Sequence, residues 1–297
     1  MISPLYQTLL RVLLLGSLWG PSFFFIKVCL TDMPPLSLAF LRFGIASIFL
    51  WTLVLVKKLE IPKCPTTLAH LFIMSIFSMA LPISLICIAE QHIDSALAGI
   101  INGTVPLGTV FLAHFLIKSE RITLRRFSGV LSGLVGFLIL LMPTVLDHNI
   151  AADTFGLLGV GSASMCYAIG IVYAKKNLKG ISGLIIPTIQ ISFATLLTGI
   201  AAFFFEPSLT LLSPSNTTLL SLFSLALLGT VGAFVMYYQI LDKDGPVILS
   251  MTAYLLPVYA IVLGSVFLGE PLTLSLFAAI GFILLGLVLI NKKSRPS

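Results

Sequence analysis

The sequence predicts an all-α polytopic membrane protein of ten transmembrane helices, laid out as two inverted five-helix repeats. Composition is the first reason. Of the 297 residues 58% are hydrophobic and only 9% charged, and the mean hydropathy is +1.11. The second reason is segmentation. A helix needs about 20 apolar residues to cross the hydrocarbon core of a bilayer, and ten such runs account for nearly the whole chain. Lipid offers no partner for a backbone amide, and the runs are far longer than a barrel strand, so each is expected to be helical. The third reason is an internal duplication, described below.

In chain order the expected spans cover 5–27, 36–56, 67–89, 95–117, 126–146, 154–174, 183–205, 218–240, 247–269 and 273–291. The first run lacks a small-residue cleavage site and is followed by further spans, so it reads as a retained helix rather than a leader. Turn chemistry separates the spans: Asp32 to Pro35, Glu60 to Pro65, Asp147 to Asp153, Glu206 to Asn216 and Asp242 to Pro246. Cys29, Cys64, Cys87 and Cys166 form no CxxC pair, and no histidines stand at ligand spacing. The thiols are therefore read as buried, with no metal and no cofactor expected. Gly99 with Gly103, and Gly129 with Gly133, give the spacing that lets helix backbones approach closely.

The duplication is clearest in the stretch Ala96 to Thr123 and its second appearance at Val247 to Thr273. Ser95 precedes Pro106 by eleven residues, as Pro246 precedes Pro257, and each stretch ends in Glu-x-x-Thr, at Glu120 and Glu270. Gly136 and Gly286 follow those glutamates at the same distance. Repeats of this kind define architecture before any local feature does, and they divide the chain into 1–146 and 147–297.

Basic residues orient the spans. With the N-terminus in the cytoplasm, Lys57, Lys58 and Lys63, then Lys118, Arg121, Arg125 and Arg126, then Lys175, Lys176 and Lys179, then Lys243, and finally Lys292, Lys293 and Arg295 all fall inside. They make up 14 of the 17 lysines and arginines. Both termini are then cytoplasmic, and the net charge of +6 serves orientation rather than nucleic-acid binding. Equivalent loops of the two copies carry opposite charge: Lys118 to Arg126 is basic, whereas Gly269 to Thr273 holds only Glu270. Five helices per copy is an odd number, so the second copy enters upside down. Inverted repeats of this kind place a substrate site at their interface near mid-membrane.

Several short motifs occur in order: Leu18-Trp19-Gly20 with Lys27, Pro34-Pro35 followed by Leu41-Arg42-Phe43, Pro106 with Glu120-Arg121-Ile122-Thr123, then Pro257 with Gly269-Glu270-Pro271-Leu272-Thr273. In these the chain resembles the EamA-type family of the drug/metabolite transporter superfamily. The resemblance covers essentially the whole chain. One departure is that Pro106 to Glu120 is a residue longer than Pro257 to Glu270. The resemblance implies a secondary transporter, most often an exporter of small metabolites such as amino acids, with the first four helices of each repeat enclosing a cavity.

Among candidate site residues Arg42 stands out, because a guanidinium inside a membrane span must face a cavity, a partner or the headgroups. It could hold a substrate carboxylate, or it could snorkel or pair with Asp32 or Glu90. Trp19 and Arg42 are matched at the same spacing by Tyr167 and Gln190. Asn102 and Tyr254 precede the central prolines Pro106 and Pro257, which are candidates for kinks and gating. Trp19, Arg42, Asn102, Tyr167, Gln190 and Tyr254 are thus the expected substrate contacts. Glu90 and His92, near Gln91 and Asp94, could couple protons to transport or form a solvated turn. Tyr237, Tyr238 and Gln239 could anchor the interface or line the cavity. His114 reads as a hydrogen-bonded structural histidine, and His70 and His148 as interface and loop residues.

No GxxxxGK[ST] phosphate loop, GxSxG or HExxH is present, so nucleotide-driven transport and intramembrane hydrolysis are not expected, and the protein is not read as an enzyme. Three functions remain: export of small organic metabolites across the inner membrane by alternating access, uptake on the same fold, or a non-transporting membrane subunit. The expected partners are a small-molecule substrate and the bilayer, with the protein a monomer or weak homodimer.

Overall fold

The computed structural model describes residues 4–93, 95–117, 122–146, 154–178, 183–206, 214–256, 258–259, 262–263 and 274–291. Among them every regular element is helical. In the first half these are α1 (Pro4–Trp19), α2 (Ser22–Cys29), α3 (Pro35–Val56), α4 (Pro65–Ser75), α5 (Leu81–Ala89), α6 (Ser95–Asn102), α7 (Val105–Leu116) and α8 (Leu124–Leu146). In the second they are α9 (Thr154–Asn177), α10 (Ile185–Phe205), α11 (Asn216–Ala226), α12 (Ala233–Lys243), α13 (Pro246–Ser250) and α14 (Leu274–Asn291). Six described helical runs are long and apolar enough to cross a bilayer: Tyr6–Cys29, Pro35–Val56, Pro65–Ala89, Leu158–Asn177, Ile185–Phe205 and Asn216–Lys243. Val105–Leu116 is a shorter apolar helix.

The packing pattern maps onto itself when the halves are exchanged. α3 packs on α10, and α8 on α14. α2 packs on α11 as α5 does on α9, so the first run meets the eighth where the third meets the sixth. Small residues allow those close crossings. A Cβ on Gly229 would lie 2.9 Å from Ser22 Oγ, and one on Gly170 would collide with the Ser78 hydroxyl. Gly170 follows Tyr167 at the same distance as Ser22 follows Trp19, so the serine and glycine trade places between the copies. At the α8–α14 crossing, Gly286 sits so close that a Cβ would be 2.6 Å from Gly129 O and 3.1 Å from Gly133 N. The Gly129 and Gly133 pair noted in the sequence thus packs helices within one chain.

Backbone irregularities recur in both halves as well. A π turn, Ile76–Ala80, joins α4 to α5, and another, Leu227–Gly232, joins α11 to α12, so the eighth run is interrupted as the third is. Pro82, in the first turn of α5, has no N–H to offer the Ser78 carbonyl, which accounts for the first shift of register. The second has no proline and carries Gly229 and Gly232 instead. The fourth run, expected as one helix over 95–117, breaks at Gly103–Thr104, and Pro106 lies in the first turn of α7 rather than in mid-helix. Its counterpart breaks after α13 into a 3-10 segment, Met251–Tyr254. Pro257 lies outside the described residues. Of the four thiols expected to be buried, Cys29, Cys87 and Cys166 are, whereas Cys64 is exposed, because it sits in the connection just before α4.

Polar ties close the helix ends. Lys27 Nζ donates to Glu90 O at 2.8 Å and Ile93 O at 3.0 Å, and Lys175 Nζ donates to Leu241 O at 2.8 Å and Asp242 O at 3.2 Å. An ammonium at a helix C-terminus answers both its free carbonyls and its dipole. The Glu206 carboxylate accepts from Leu36 N (2.9 Å) and Ser37 N (2.7 Å) at the start of α3. Asp32 accepts from Thr218 Oγ1 (2.5 Å) and Ser215 N (3.0 Å) at the start of α11. Those bonds, led by the threonine hydroxyl, pull the Asp32 pKa down to about 2. Arg11, expected within the first span, forks onto Asp244 (2.9 and 3.0 Å) at the end of α12, with Thr8 Oγ1 donating to the same carboxylate at 2.6 Å.

Gly286→Ala is expected to lower stability by about 1–3 kcal/mol, because its new methyl meets backbone that cannot turn aside. Gly281→Ala on the same helix meets nothing within 4 Å and should change stability by less than about 0.5 kcal/mol. Thermal unfolding of the detergent-solubilised protein reads both.

Candidate functional site

The helix irregularities converge on one place. Trp19 and Ser22 flank the α1–α2 break; Ser78 belongs to the first π turn; Asn102 and Val105 flank the α6–α7 break; Ser250, Thr252 and Ala253 belong to the α13 break. All of them border a single cavity. Phe23, Ile26, Ile83, Ile86, Ile171 and Leu256 give it a largely apolar wall, and Phe234, Tyr237, Tyr167 and Arg42 complete it. Backbone that departs from a helix is tolerated at membrane depth only where protein or a cavity surrounds it. π turns are frequent at functional sites for a related reason, since they reposition side chains and loosen a carbonyl.

Arg42 is held by the second π turn. Its Nε donates to Thr230 Oγ1 at 2.9 Å and its Nη2 to Gly229 O at 3.1 Å, a carbonyl that also accepts from Trp19 Nε1 at 3.1 Å. The Thr230 hydroxyl in turn donates to Leu225 O at 2.9 Å. The side chain is 2% exposed, and Nη1 has no hydrogen-bond partner in the protein. Arg42 therefore neither snorkels nor pairs with Asp32 or Glu90. It has one N–H face committed to the protein and another uncommitted.

Two more cavity-lining groups are buried without partners, Ser22 Oγ and Tyr237 Oη. Unbonded buried polar atoms are costly unless something else satisfies them. Three such atoms on residues that line one cavity, with guanidinium and hydroxyl protons to give, make a donor set for an acceptor-rich group. Aromatic rings back it. Trp19 meets Phe234 and Tyr237 edge-on, with centroids 5.7 and 6.0 Å apart.

Of the six substrate contacts expected from sequence, the structure brings four together: Trp19, Arg42, Asn102 and Tyr167 line the cavity. It places the other two outside its wall. Gln190 is fully buried and accepts a short hydrogen bond from Tyr238 Oη, with its amide nitrogen unbonded. Tyr254 lies flat against Gly133, its hydroxyl donating to Val130 O at 3.3 Å, so it wedges the 3-10 segment onto α8. Glu90 is fully buried, whereas His92 is exposed with its ring against Phe155 at 5.4 Å. His114 accepts from Ile122 N at 3.2 Å, and His70 Nδ1 is 2.7 Å from Tyr173 Oη. Asp94 and His148 lie outside the described residues.

Tyr237 and Tyr238 face different hollows. Tyr237 borders the cavity, while Tyr238 borders a second cleft with Lys175, Gln239, Asp242 and Lys243. Their rings touch, with centroids 4.8 Å apart, and so form the partition between the two spaces. Sequence reasoning missed Ser22, Ser78, Phe234, Ser250 and Thr252. Ser22 follows Trp19 by three residues and Phe234 precedes Tyr237 by three, so helical spacing could have found those two. The π and 3-10 segments that aim the others leave no such signal.

The profile of the EamA-like transporter family matches residues 7–142 and 154–292. The chain belongs to that family. It is a multi-pass membrane transporter, and its exposed apolar side chains, among them Phe203, Phe204 and Phe205, are the lipid-facing surface such a protein needs. The transporter is 27% identical over 290 residues to the uncharacterized inner membrane transporter YedA of Escherichia coli strain K12, covering 97% of this chain and 90% of that one. An uncharacterized transporter of Archaeoglobus fulgidus is 25% identical over 277 residues, covering 93% and 95%. A protein named a probable amino-acid metabolite efflux pump, from Salmonella typhimurium, is 27% identical over 285 residues, covering 93% and 91%. A crystal structure of a protein 20% identical superposes with a TM-score of 0.78, covering 96% of both chains, which shows the fold.

Tyr238→Phe should destabilise the transporter by about 1–3 kcal/mol, because it strands the buried Gln190 carbonyl as well as its amide. Tyr237→Phe removes a hydroxyl that has no protein partner and should leave the melting temperature unchanged or slightly raised. Thermal melts of the two variants side by side test the partition's chemistry.

Proposed function

We propose that this protein exports small organic metabolites carrying a carboxylate, amino acids or close relatives, across the inner membrane by alternating access, with the substrate held in the central cavity. The observation that carries this reading is the set of three buried, unpartnered donors, Ser22 Oγ, Arg42 Nη1 and Tyr237 Oη, on residues of a largely apolar cavity. A carboxylate satisfies an arginine fork and a hydroxyl together, and the surrounding rings and aliphatic chains suit the uncharged remainder. Export is supported by the relative from Salmonella typhimurium whose name describes efflux of amino-acid metabolites. The two five-helix units, 1–146 and 147–297, are inverted relative to each other and form the two sides of the cavity. The exchange symmetry of the packing and the paired π turns support that arrangement. The transporter works as a monomer or weak homodimer with both termini in the cytoplasm.

A panel of amino acids, nucleotides and lipophilic cations, each added to the detergent-solubilised protein, tests the substrate class, because a ligand that binds the folded state raises the melting temperature. Amino acids should raise it, and Arg42→Gln should weaken that binding about 10- to 100-fold, the value of one hydrogen bond to a charged group. A shift produced only by lipophilic cations, or one that survives Arg42→Gln unchanged, would overturn the reading. Reporter fusions at residues 1 and 297 should both read cytoplasmic, as the distribution of lysine and arginine requires.

A further inference from the structure

The two lysine caps match in the first carbonyl each one ties, but not in the residue that carries it. Lys175 follows Tyr167 at the same distance as Lys27 follows Trp19, and each lysine ties a helix end in its own half. Lys27 bonds the carbonyls of Glu90 and Ile93, Lys175 those of Leu241 and Asp242. Glu90 and Leu241 occupy matching places, each equally far beyond the start of its own π turn. A leucine serves the second cap, so the cap itself needs no carboxylate. Yet the first cap buries one completely, just past the membrane run that ends at Ala89, with neither Oε1 nor Oε2 bonded to anything.

A carboxylate in that position cannot be charged without a partner. Burial lifts its pKa well above the ordinary carboxylate range, against the opposing pull of Lys27 and Arg42. Among the described residues the ionisable groups around it are Lys27 from α2, Arg42 from α3 and Cys87 from α5 itself; α9 meets this end of α5 with Gly156 and Gly159. His92, two residues on, is exposed and turned onto Phe155. The nearest cation spends its hydrogen bonds on backbone, one of them the carbonyl of Glu90 itself.

We propose that Glu90 is the proton-binding group that couples this transporter to the proton gradient. Protonated, Glu90 leaves Lys27 to fasten α2 to the turn after α5. On releasing its proton to water it becomes a carboxylate, takes the Lys27 ammonium as its ion-pair partner, and so draws that ammonium off the carbonyls of Glu90 and Ile93. One proton lost at Glu90 thereby frees α2, which carries Ser22, Phe23 and Ile26 of the cavity wall. The inference rests on the transporter fold and not on the substrate class proposed above.

Three measurements on the full-length protein test it. First, the melting temperature is followed without ligand from about pH 5 to pH 8. The folded pKa lies above the unfolded one, so the stabilisation is whole below the unfolded pKa and is lost as pH rises toward the folded value. Wild type should therefore melt at lower temperature as pH rises, and Glu90→Gln should lose that slope. Second, infrared difference spectra between the ends of the pH range should show the stretch of a protonated carboxyl in wild type and not in Glu90→Gln. An unchanged slope and band in the variant would overturn the assignment. Third, proteoliposomes are given a radiolabelled amino-acid mixture and an imposed pH gradient. Wild type should accumulate label up to about tenfold per pH unit, the limit for one coupled proton, while Glu90→Gln exchanges label without responding to the gradient. Glu90→Asp, which keeps a titrating group, should retain the response if the glutamine variant misfolds. A gradient response intact in Glu90→Gln would sink the coupling. If wild type moves no amino acid at all, the substrate class falls, while the melts and spectra still decide Glu90.

Discussion

Lipid cannot hydrogen-bond a peptide group, and that constraint governs this molecule more than any single contact. Wherever the chain crosses the bilayer, each N–H and C=O must find its partner within the same helix or in protein packed beside it. Departures from the α-helix are consequently confined to the interior. Here they are numerous: two π turns, a 3-10 segment, and breaks at Gly20-Pro21 and Gly103–Thr104. The first π turn, the 3-10 segment and the residues flanking both breaks border the same cavity, and the second π turn holds Arg42, which lines it. These bends supply what a uniform helix could not. Gly229 O, in a π turn, serves as acceptor for both Arg42 and Trp19.

Arg42 shows how position decides chemistry. Free at the membrane surface, a guanidinium would be a snorkelling anchor. Lodged at 2% exposure between α3 and the second π turn, it has its geometry set by two protein acceptors and keeps Nη1 unbonded. Gln190 matches Arg42 in the sequence and takes the opposite course, spending its carbonyl on Tyr238. The duplication therefore yields one side that offers charge to the cavity and another that closes it off. Tyr237 and Tyr238, adjacent in the chain, divide those tasks between the cavity and the second cleft.

The same asymmetry within symmetry marks the helix ends. Lys27 and Lys175 answer the free carbonyls of two helix termini in equivalent ways, but only the first cap conceals a carboxylate. Elsewhere the two copies differ in which partner is small. Ser22 faces Gly229, and Gly170 faces Ser78. Close helix crossings in a membrane depend on small residues because no hydrophobic gain drives helices together. Either partner can be the glycine, so the two halves could diverge in sequence while keeping the crossing.

Much of this was legible in the sequence because hydropathy and proline spacing act locally. Apolar length alone dictates membrane helices, and the recurrence of Pro106 at Pro257 dictates a duplicated plan. An arginine in a span has few tolerable environments, so Arg42 could be singled out, and Trp19, Asn102 and Tyr167 followed from spacing. The sequence could not settle which face of each helix looks inward. Gln190 and Tyr254 were as well placed by spacing as the four residues that line the cavity, but a π or 3-10 turn rotates everything beyond it by a fraction of a turn, and no residue pattern announces that rotation. Glu90 likewise reads as part of a solvated turn among Gln91, His92 and Asp94. Only the packing of α2 and α9 around it, with Lys27 seated on its backbone, decides that it is buried. Composition and apolar run length determined that this chain crosses the membrane repeatedly as helices, because each run must satisfy lipid by itself. Tertiary structure decided which polar groups share the cavity, because that depends on how far each helix is turned against its neighbours.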